Sequence, residues 1–329
     1  MPLISVMIPA HNAAASIGRT LDSILANTVP LEIIVVDDCS TDETAAVVTT
    51  YAQRHAGIRL VRNRENLGGG GSRNVALTHA AGDYYYFIDA DDVLHAGALD
   101  ELSIVAERSG ADVVVFKYAM ITRENAPSVG MMGKDQQAWT KIAGDRPAAL
   151  VDLEKHGILL GMLNYPWNRI LKADFCRSIG LRFSQTAVHN DILAFWLTFL
   201  NARTIVMYNR ELITYRQIVN SDQTTNVFDE RRLDVFKAFE DVEAVFSDRG
   251  DLKEKYYPWF LLLKMDVLAW IASRLAPGLR DRFIALVADN YSRHMTDKAY
   301  ADAQAVFPQV AQFSAVLRNS PEAIGRFFR

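Results

Sequence analysis

Short apolar runs recur along the first half of the chain: "LISVMI" (3–8), "LEIIVV" (31–36), "IRLV" (58–61), "YYYFI" (84–88) and "DVVVF" (112–116). They are rich in β-branched and aromatic residues, which predicts buried strands. Between them lie segments with helical spacing, at 14–27, 42–55, 72–81 and 96–110. The second opens on "STDET", where Ser40 or Thr41 can cap and Asp42 or Glu43 suits the positive helix end. Near-continuous apolar strands alternating with helices predict an α/β fold with a parallel sheet covered on both faces.

Over 117–146 the pattern loosens, with Gly, Pro, Met and polar residues mixed, and a loop or short hairpin over one end of the sheet is expected. Order returns with 147–157, with 166–183 and with the apolar helix "DILAFWLTFLNA" (191–202). The runs "TIVMYN" (204–209) and "LITYRQ" (212–217) predict a pair of strands. Beyond residue 227 the spacing is helical to the end, so the expected division is a sheet domain over 1–226 and a helical appendage over 227–329. The most apolar stretch, 256–277, is interrupted by Lys264 and Asp266, whereas a spanning helix wants about 20 uninterrupted apolar residues. It reads as a core or subunit-contact helix, the alternative being an amphipathic segment on a membrane, helped by "IGRFFR" at 324–329.

Polar residues gather where the predicted strands end. The first strand runs into "PAHN" (9–12), the second into "DDCSTD" (37–42) and the fourth into "DADD" (89–92). Ligands of parallel sheets bind beyond the carboxyl ends of the strands, so these segments converge on one edge. In an extended "DADD", Asp89 and Asp91 share a face while Ala90 and Asp92 point away. Two carboxylates with open positions suit Mg²⁺ or Mn²⁺. The plainer alternative makes Asp92 a helix N-cap and Asp89 a solvated loop acid. "NLGGGGSRN" (66–74) leads into a helix but fits neither G-x-G-x-x-G nor a Gly-Lys-Ser/Thr loop. Its glycines would let backbone pass close to a ligand, with Arg73 as a cationic contact or, more plainly, half of a surface ion pair.

Composition narrows the class. The chain has 329 residues, half of them hydrophobic, and a net charge of −4, which gives no global field toward nucleic acid or an anionic membrane. Two cysteines, Cys39 and Cys176, exclude a disulfide framework and fit a reducing compartment. The seven histidines show no metal-ligand spacing. "MPLISVMIPAHN" has no basic n-region and its apolar run stops at Pro9, so no signal peptide is expected and a cytoplasmic location is the default.

Taken in order, "SVMIPAHN", "IIVVDDCSTDET", "NLGGGGSRN" and "GDYYYFIDADD" resemble the inverting family-2 glycosyltransferases of GT-A fold, over roughly residues 1–220. The resemblance implies a Rossmann-like, mostly parallel sheet and transfer of a sugar from a nucleotide diphosphate, UDP above all, to a hydroxyl of a glycan or lipid-linked acceptor. Bacterial polysaccharide or cell-envelope assembly is the implied setting. Position by position it places Pro9, His11 and Asp38 around the nucleotide base, with Asn12, Arg73, Asp89 and Ala90 along the nucleotide-sugar. The Mn²⁺ or Mg²⁺ falls to Asp91 and Asp89, with Asp92 the close alternative. The general base falls to Asp191 in "VHNDILAFW", where Asn190 replaces the family's usual acid. Arg216 would neutralise the leaving diphosphate, while Ile218 occupies a slot often basic. Trp167 would stack on an acceptor sugar, or else be a core residue. The implied partners are the UDP-sugar and the acceptor, with no nucleic acid, and the C-terminal helices could serve a homodimer or a peripheral membrane contact. A second hypothesis, a nucleotide-sugar or glycan binding module without turnover, is kept open by Asn190 and Ile218. A nucleotidyltransferase is disfavoured by the missing Lys-containing phosphate loop.

Overall fold

The computed structural model describes residues 1–123, 126–218, 228–247 and 249–319. The expected boundary at 226/227 and the "IGRFFR" segment lie outside the described residues. The strands are β1 (Ile4–Ala10), β2 (Leu31–Asp37), β3 (Ile58–Arg62), β4 (Tyr84–Phe87), β5 (Val93–Leu94), β6 (Val113–Ile121), β7 (Ala148–Val151), β8 (Arg169–Lys172) and β9 (Ile205–Arg216). They form one sheet in the order β3-β2-β1-β4-β8-β6-β9-β5, with β7 added on β9. β1 to β4 are parallel neighbours, and β8 lies antiparallel between β4 and β6. β6 and β9 therefore run with the first four, and only β5, β7 and β8 run against them. The sheet is mixed and mostly parallel, with the ends of β1, β2 and β4 at one edge.

The helices before the C-terminal region are α1 (Ile17–Leu25), α2 (Thr44–Arg54), α3 (Gly68–His79), α4 (Ala98–Ser109), α5 (Gly133–Ile142), α6 (Ala173–Ser178) and α7 (Asp191–Asn201). α1 buries Ile17, Leu21 and Ile24 at i, i+4, i+7 against one face of the sheet. α7 has no polar face to spare: Ile192 through Leu200 are all buried, because it lies between the sheet and the C-terminal helices. Those helices are α8 (Val235–Ser247), α9 (Gly250–Ala272), α10 (Arg280–His294), α11 (Asp297–Val306) and α12 (Pro308–Asn319). Phe246, Phe260, Tyr291 and Leu317 from this region join the same continuous buried cluster as Met7, Phe87 and Trp196.

Several expectations are corrected. The loose stretch 117–146 holds the last residues of β6 and the helix α5, whose Ala138, Trp139 and Ile142 are buried at the spacing of one helix face. The runs at 204–209 and 212–217 are one strand. Phe116 pairs with Tyr208 but Lys117 with Glu211, so Asn209 and Arg210 bulge outward and break the apolar pattern without ending pairing. α2 starts later than "STDET" suggested, and its local contact is Asp42 Oδ1 accepting the Thr44 N–H at 3.0 Å, not a Ser40 or Thr41 cap. α9 packs one face into the core, where Lys264 points inward and pairs with Glu243, which also accepts from Tyr257 at 2.8 Å. Among the described residues no helix is long and apolar enough to cross a membrane.

Candidate active site

The four polar segments do meet at one edge of the sheet, and hydrogen bonds tie them together. Asn12, at φ 49° in the left-handed region that Asn tolerates, accepts the Thr41 N–H at 2.8 Å, while its own N–H donates to Ser40 at 3.0 Å. His11 Nδ1 sits 2.7 Å from the Asp38 carbonyl. Pro9 precedes them at the end of β1. Asp38 is buried, and its Oδ1 accepts from Asn63 Nδ2 and from the Leu67 N–H, each at 2.8 Å. Asp38 therefore anchors the entrance to the glycine segment. Among the described residues no hydrogen bond reaches its other oxygen.

The glycines of "NLGGGGSRN" serve close packing. α3 begins inside them, and a Cβ at Gly70 would run into the Ser184 carbonyl and the Asn190 Cβ. The bare backbone lets the first turn of α3 lie against the segment leading to Asp191. Asn74 locks the contact by exchanging hydrogen bonds with the Phe183 backbone at 2.9 and 2.8 Å. One residue earlier, Arg73 is buried, lies over the Phe183 ring at 5.3 Å and donates in two directions. Its NH1 reaches Asn190 Oδ1 at 2.9 Å, and its NH2 pairs with Asp89. A single guanidinium thus joins α3, the turn after β4 and the start of α7.

"DADD" is not extended. Residues 90 and 91 form a turn, the Asp92 N–H donates to the Asp89 carbonyl at 3.2 Å, and Thr20 Oγ1 lies 2.9 Å from both the Ala90 and the Asp92 carbonyls. The expected alternation of faces does not apply. Nor is Asp92 a helix cap, since α4 starts at Ala98 after Gly97. Asp92 has no exposed surface, and its Oδ1 accepts the Arg216 backbone N–H at 2.9 Å, fastening this turn to the end of β9. Burial, with Asp91 and Asp89 close by, pushes its carboxyl well above the usual carboxylate range, opposed by the Arg216 contact and charge. Asp89 and Asp91 remain partly exposed. Among the described residues no three His, Cys, Asp or Glu side chains gather as a metal cage, so any cation here would draw its remaining ligands from a bound phosphate and water.

Asp191 is the first residue of α7, with Asn190 at the cap position and no side-chain cap bond. Its carboxyl is pushed up to about 6, first by burial and then by Asp89, while Arg73 and Arg169 pull it back. An acid of this kind is poised to exchange a proton near neutral pH. Trp167 corrects its acceptor assignment. It has no exposed surface and sits in an aromatic cluster with Tyr165 at 4.7 Å, Tyr118 at 4.9 Å and Tyr215 at 4.9 Å, so no face is open to a sugar. Two features escaped the sequence: buried Arg169, and Asp135, which accepts from Tyr118 at 2.8 Å and from the Leu163 N–H at 2.9 Å. Asp135 lies in the polar run 134–137 and Arg169 beside an apolar strand, so only their burial as charged residues marks them.

A profile described as Glycosyl transferase family 2 matches residues 5–150. Uncharacterized protein MT1568 of Mycobacterium tuberculosis is 30% identical over 236 residues, 70% of this chain and 72% of that protein. The chain belongs to glycosyl transferase family 2. The uncharacterized glycosyltransferase EpsJ of Bacillus subtilis is 26% identical over 223 residues, 67% of this chain and 63% of EpsJ. The match to the Staphylococcus aureus poly(ribitol-phosphate) beta-N-acetylglucosaminyltransferase TarS is 31% identical over 131 residues, 39% of this chain and only 23% of TarS. The chain thus spans less than two thirds of either protein. The crystal structure of TarS 1-349 in complex with UDP-GlcNAc superposes with a TM-score of 0.76 at 18% identity, covering 99% of this chain and 90% of that one. That likeness is one of fold, and gives this family-2 member a GT-A architecture that includes its C-terminal helices.

Proposed function

We propose that this family-2 protein is an inverting glycosyltransferase that moves a sugar, most simply a hexose derivative, from a UDP-linked donor to a hydroxyl of a cell-envelope glycan or glycolipid. The observation that carries the reading is the Arg73 bridge. It joins Asp89, on the donor side by resemblance, to Asn190, the residue before the proposed base. The UDP-GlcNAc bound by TarS and its poly(ribitol-phosphate) acceptor support the same classes of donor and acceptor here.

Asp191 is the general base. Its carboxylate takes the proton of the acceptor hydroxyl as that oxygen attacks the anomeric carbon from the face opposite the diphosphate, which inverts the centre. Such a base supplies about 10²- to 10⁴-fold. Asp38, through its second oxygen, receives the uracil N–H, with Pro9 and His11 framing the base, Asn12 along the nucleotide-sugar, Asp89 and Ala90 beside the ribose, and Arg73 and Arg216 offsetting charge on the diphosphate. The donor set fits a hard divalent cation, Mn²⁺ or Mg²⁺, with Asp91 as ligand and Asp89 beside it; fully buried Asp92 instead holds the turn to β9. The cation supplies Lewis-acid stabilisation of the departing diphosphate. The C-terminal helices brace the base segment, where the Ala187 N–H donates to Asp234 at 3.0 Å.

The test is UDP release from a panel of UDP-sugars with Mn²⁺, alongside UDP binding. Asp191→Asn should keep UDP affinity and lose at least about a hundredfold in turnover, and Asp91→Ala should weaken UDP binding. Full turnover in Asp191→Asn, or no UDP release from any donor by the unaltered protein, would sink this reading.

A further inference from the structure

A cavity of about 10 Å³ lies beside Asp191, between β8 and α7. That is about the least room that holds one water. Its wall is apolar except for Asn164, Arg169, Asp191 and Thr198, and the Thr198 hydroxyl is already committed to the Ala194 carbonyl at 2.7 Å. Two nitrogens of residues on this wall, Asn164 Nδ2 and Arg169 Nε, are buried with no hydrogen-bond partner. Buried donors of this kind are rare, because leaving one unsatisfied forfeits its hydration with no return. Arg169 cannot turn elsewhere to find an acceptor. Its NH2 donates to the Tyr165 carbonyl, and its guanidinium packs over the Phe195 and Phe199 rings, each at 5.0 Å.

We propose that Asn164 and Arg169 are positioning residues for Asp191. They hold one water in this cavity that accepts from Asn164 Nδ2–H and Arg169 Nε–H and donates to the Asp191 carboxylate. The inference deepens, and rests on, the assignment of Asp191 as general base. Two donors and one acceptor give the water three partners, the usual number for a buried site. The water fixes the carboxylate so that its other oxygen meets the acceptor hydroxyl. It also favours the ionised form, which a base must hold before it can accept a proton. The charged groups acting on Asp191 are Arg73 from α3, Asp89 from the turn after β4 and Arg169 from β8. The Arg73 terminal nitrogens donate to Asn190 and Asp89, while Arg169 acts through the water.

The experiment uses the full chain and two readouts. One is the pH dependence of UDP release from the UDP-sugar that the unaltered protein cleaves fastest. The other is a ¹³C-carboxyl NMR titration of Asp191, its signal assigned by its loss in Asp191→Asn. The unaltered protein should show an acid limb below the value of about 6 that the surrounding protein groups impose without the water. Asn164→Ala and the charge-preserving Arg169→Lys should each raise both the limb and the NMR midpoint by about one unit, a rate loss of about tenfold below the limb that disappears above it. Donor KM should not move. A uniform rate loss at every pH, or an unmoved midpoint in both variants, overturns the inference and leaves the transferase reading intact. Retained turnover in Asp191→Asn overturns the base assignment and this inference with it.

Discussion

Gly70→Ala tests whether the glycine segment is built for packing. Alanine normally gains about 1 kcal/mol over glycine inside a helix. At this site the added Cβ meets the Ser184 carbonyl and the Asn190 Cβ, neither of which can rotate aside. Overpacking of this kind costs about 1–3 kcal/mol, so the net effect is a loss of up to about 2 kcal/mol, several degrees in Tm for a chain of this size. Function should suffer more than stability. The shift that relieves the clash separates α3 from the base segment and stretches the 2.9 Å Arg73–Asn190 bond, and small misplacements at such a site cost about a hundredfold in rate. Gly133→Ala is the control: it opens α5, has no positive φ, and nothing lies within 4 Å of an added Cβ, so it should leave Tm unchanged or slightly raised. The assay is thermal unfolding of both variants with UDP release measured on the same preparations. A Gly70→Ala protein as stable and as active as the unaltered one would refute the argument that backbone contact requires this glycine.

Other expectations concern the buried polar groups. Lys264→Met should cost about 3–5 kcal/mol in denaturant unfolding, because it strands buried Glu243, and adding Glu243→Gln should recover part of the loss. Trp167→Phe should lower Tm with little change in acceptor KM, since the ring is fully buried in a cluster of tyrosines. Asp135 is raised from 3.8 to about 6 by burial, so the folded state binds its proton more tightly than the unfolded state. Its stabilising contribution is present below about pH 4 and is lost as pH rises through 6. The stability of the unaltered protein relative to Asp135→Asn should therefore fall by about 2 kcal/mol between pH 4 and pH 7, read from denaturation series. A gap that stays constant or widens with pH would contradict that sign.

The sequence by itself determined the strands that have a local signature. β1, β2, β3 and β4 are apolar runs bounded by polar turns, and their order with the helices between them forces a parallel sheet. It also brought "PAHN", "DDCSTD", "NLGGGGSRN" and "DADD" to one edge, because parallel strands all end on the same side. Asp191 was legible only through its place in a family pattern, since one acid before an apolar helix is an ordinary helix start.

What only the tertiary structure decided are matters of long-range contact. β9 reads as two strands because Asn209 and Arg210 interrupt its apolar run, and only pairing with β6 shows the bulge that keeps it whole. Trp167 and Asp92 carry residue types that suit a ligand site. Tyr118, Tyr165 and Tyr215 enclose one, and the backbone of Arg216 claims the other. Arg73 looks like any helical cation until residues 89 and 190 meet it from two sides. Local sequence encodes which segments become strand or helix, because propensity and periodicity are local. It does not encode which side chains are desolvated or paired: the partners of Arg73 and Asp92 lie 16 to 124 residues away.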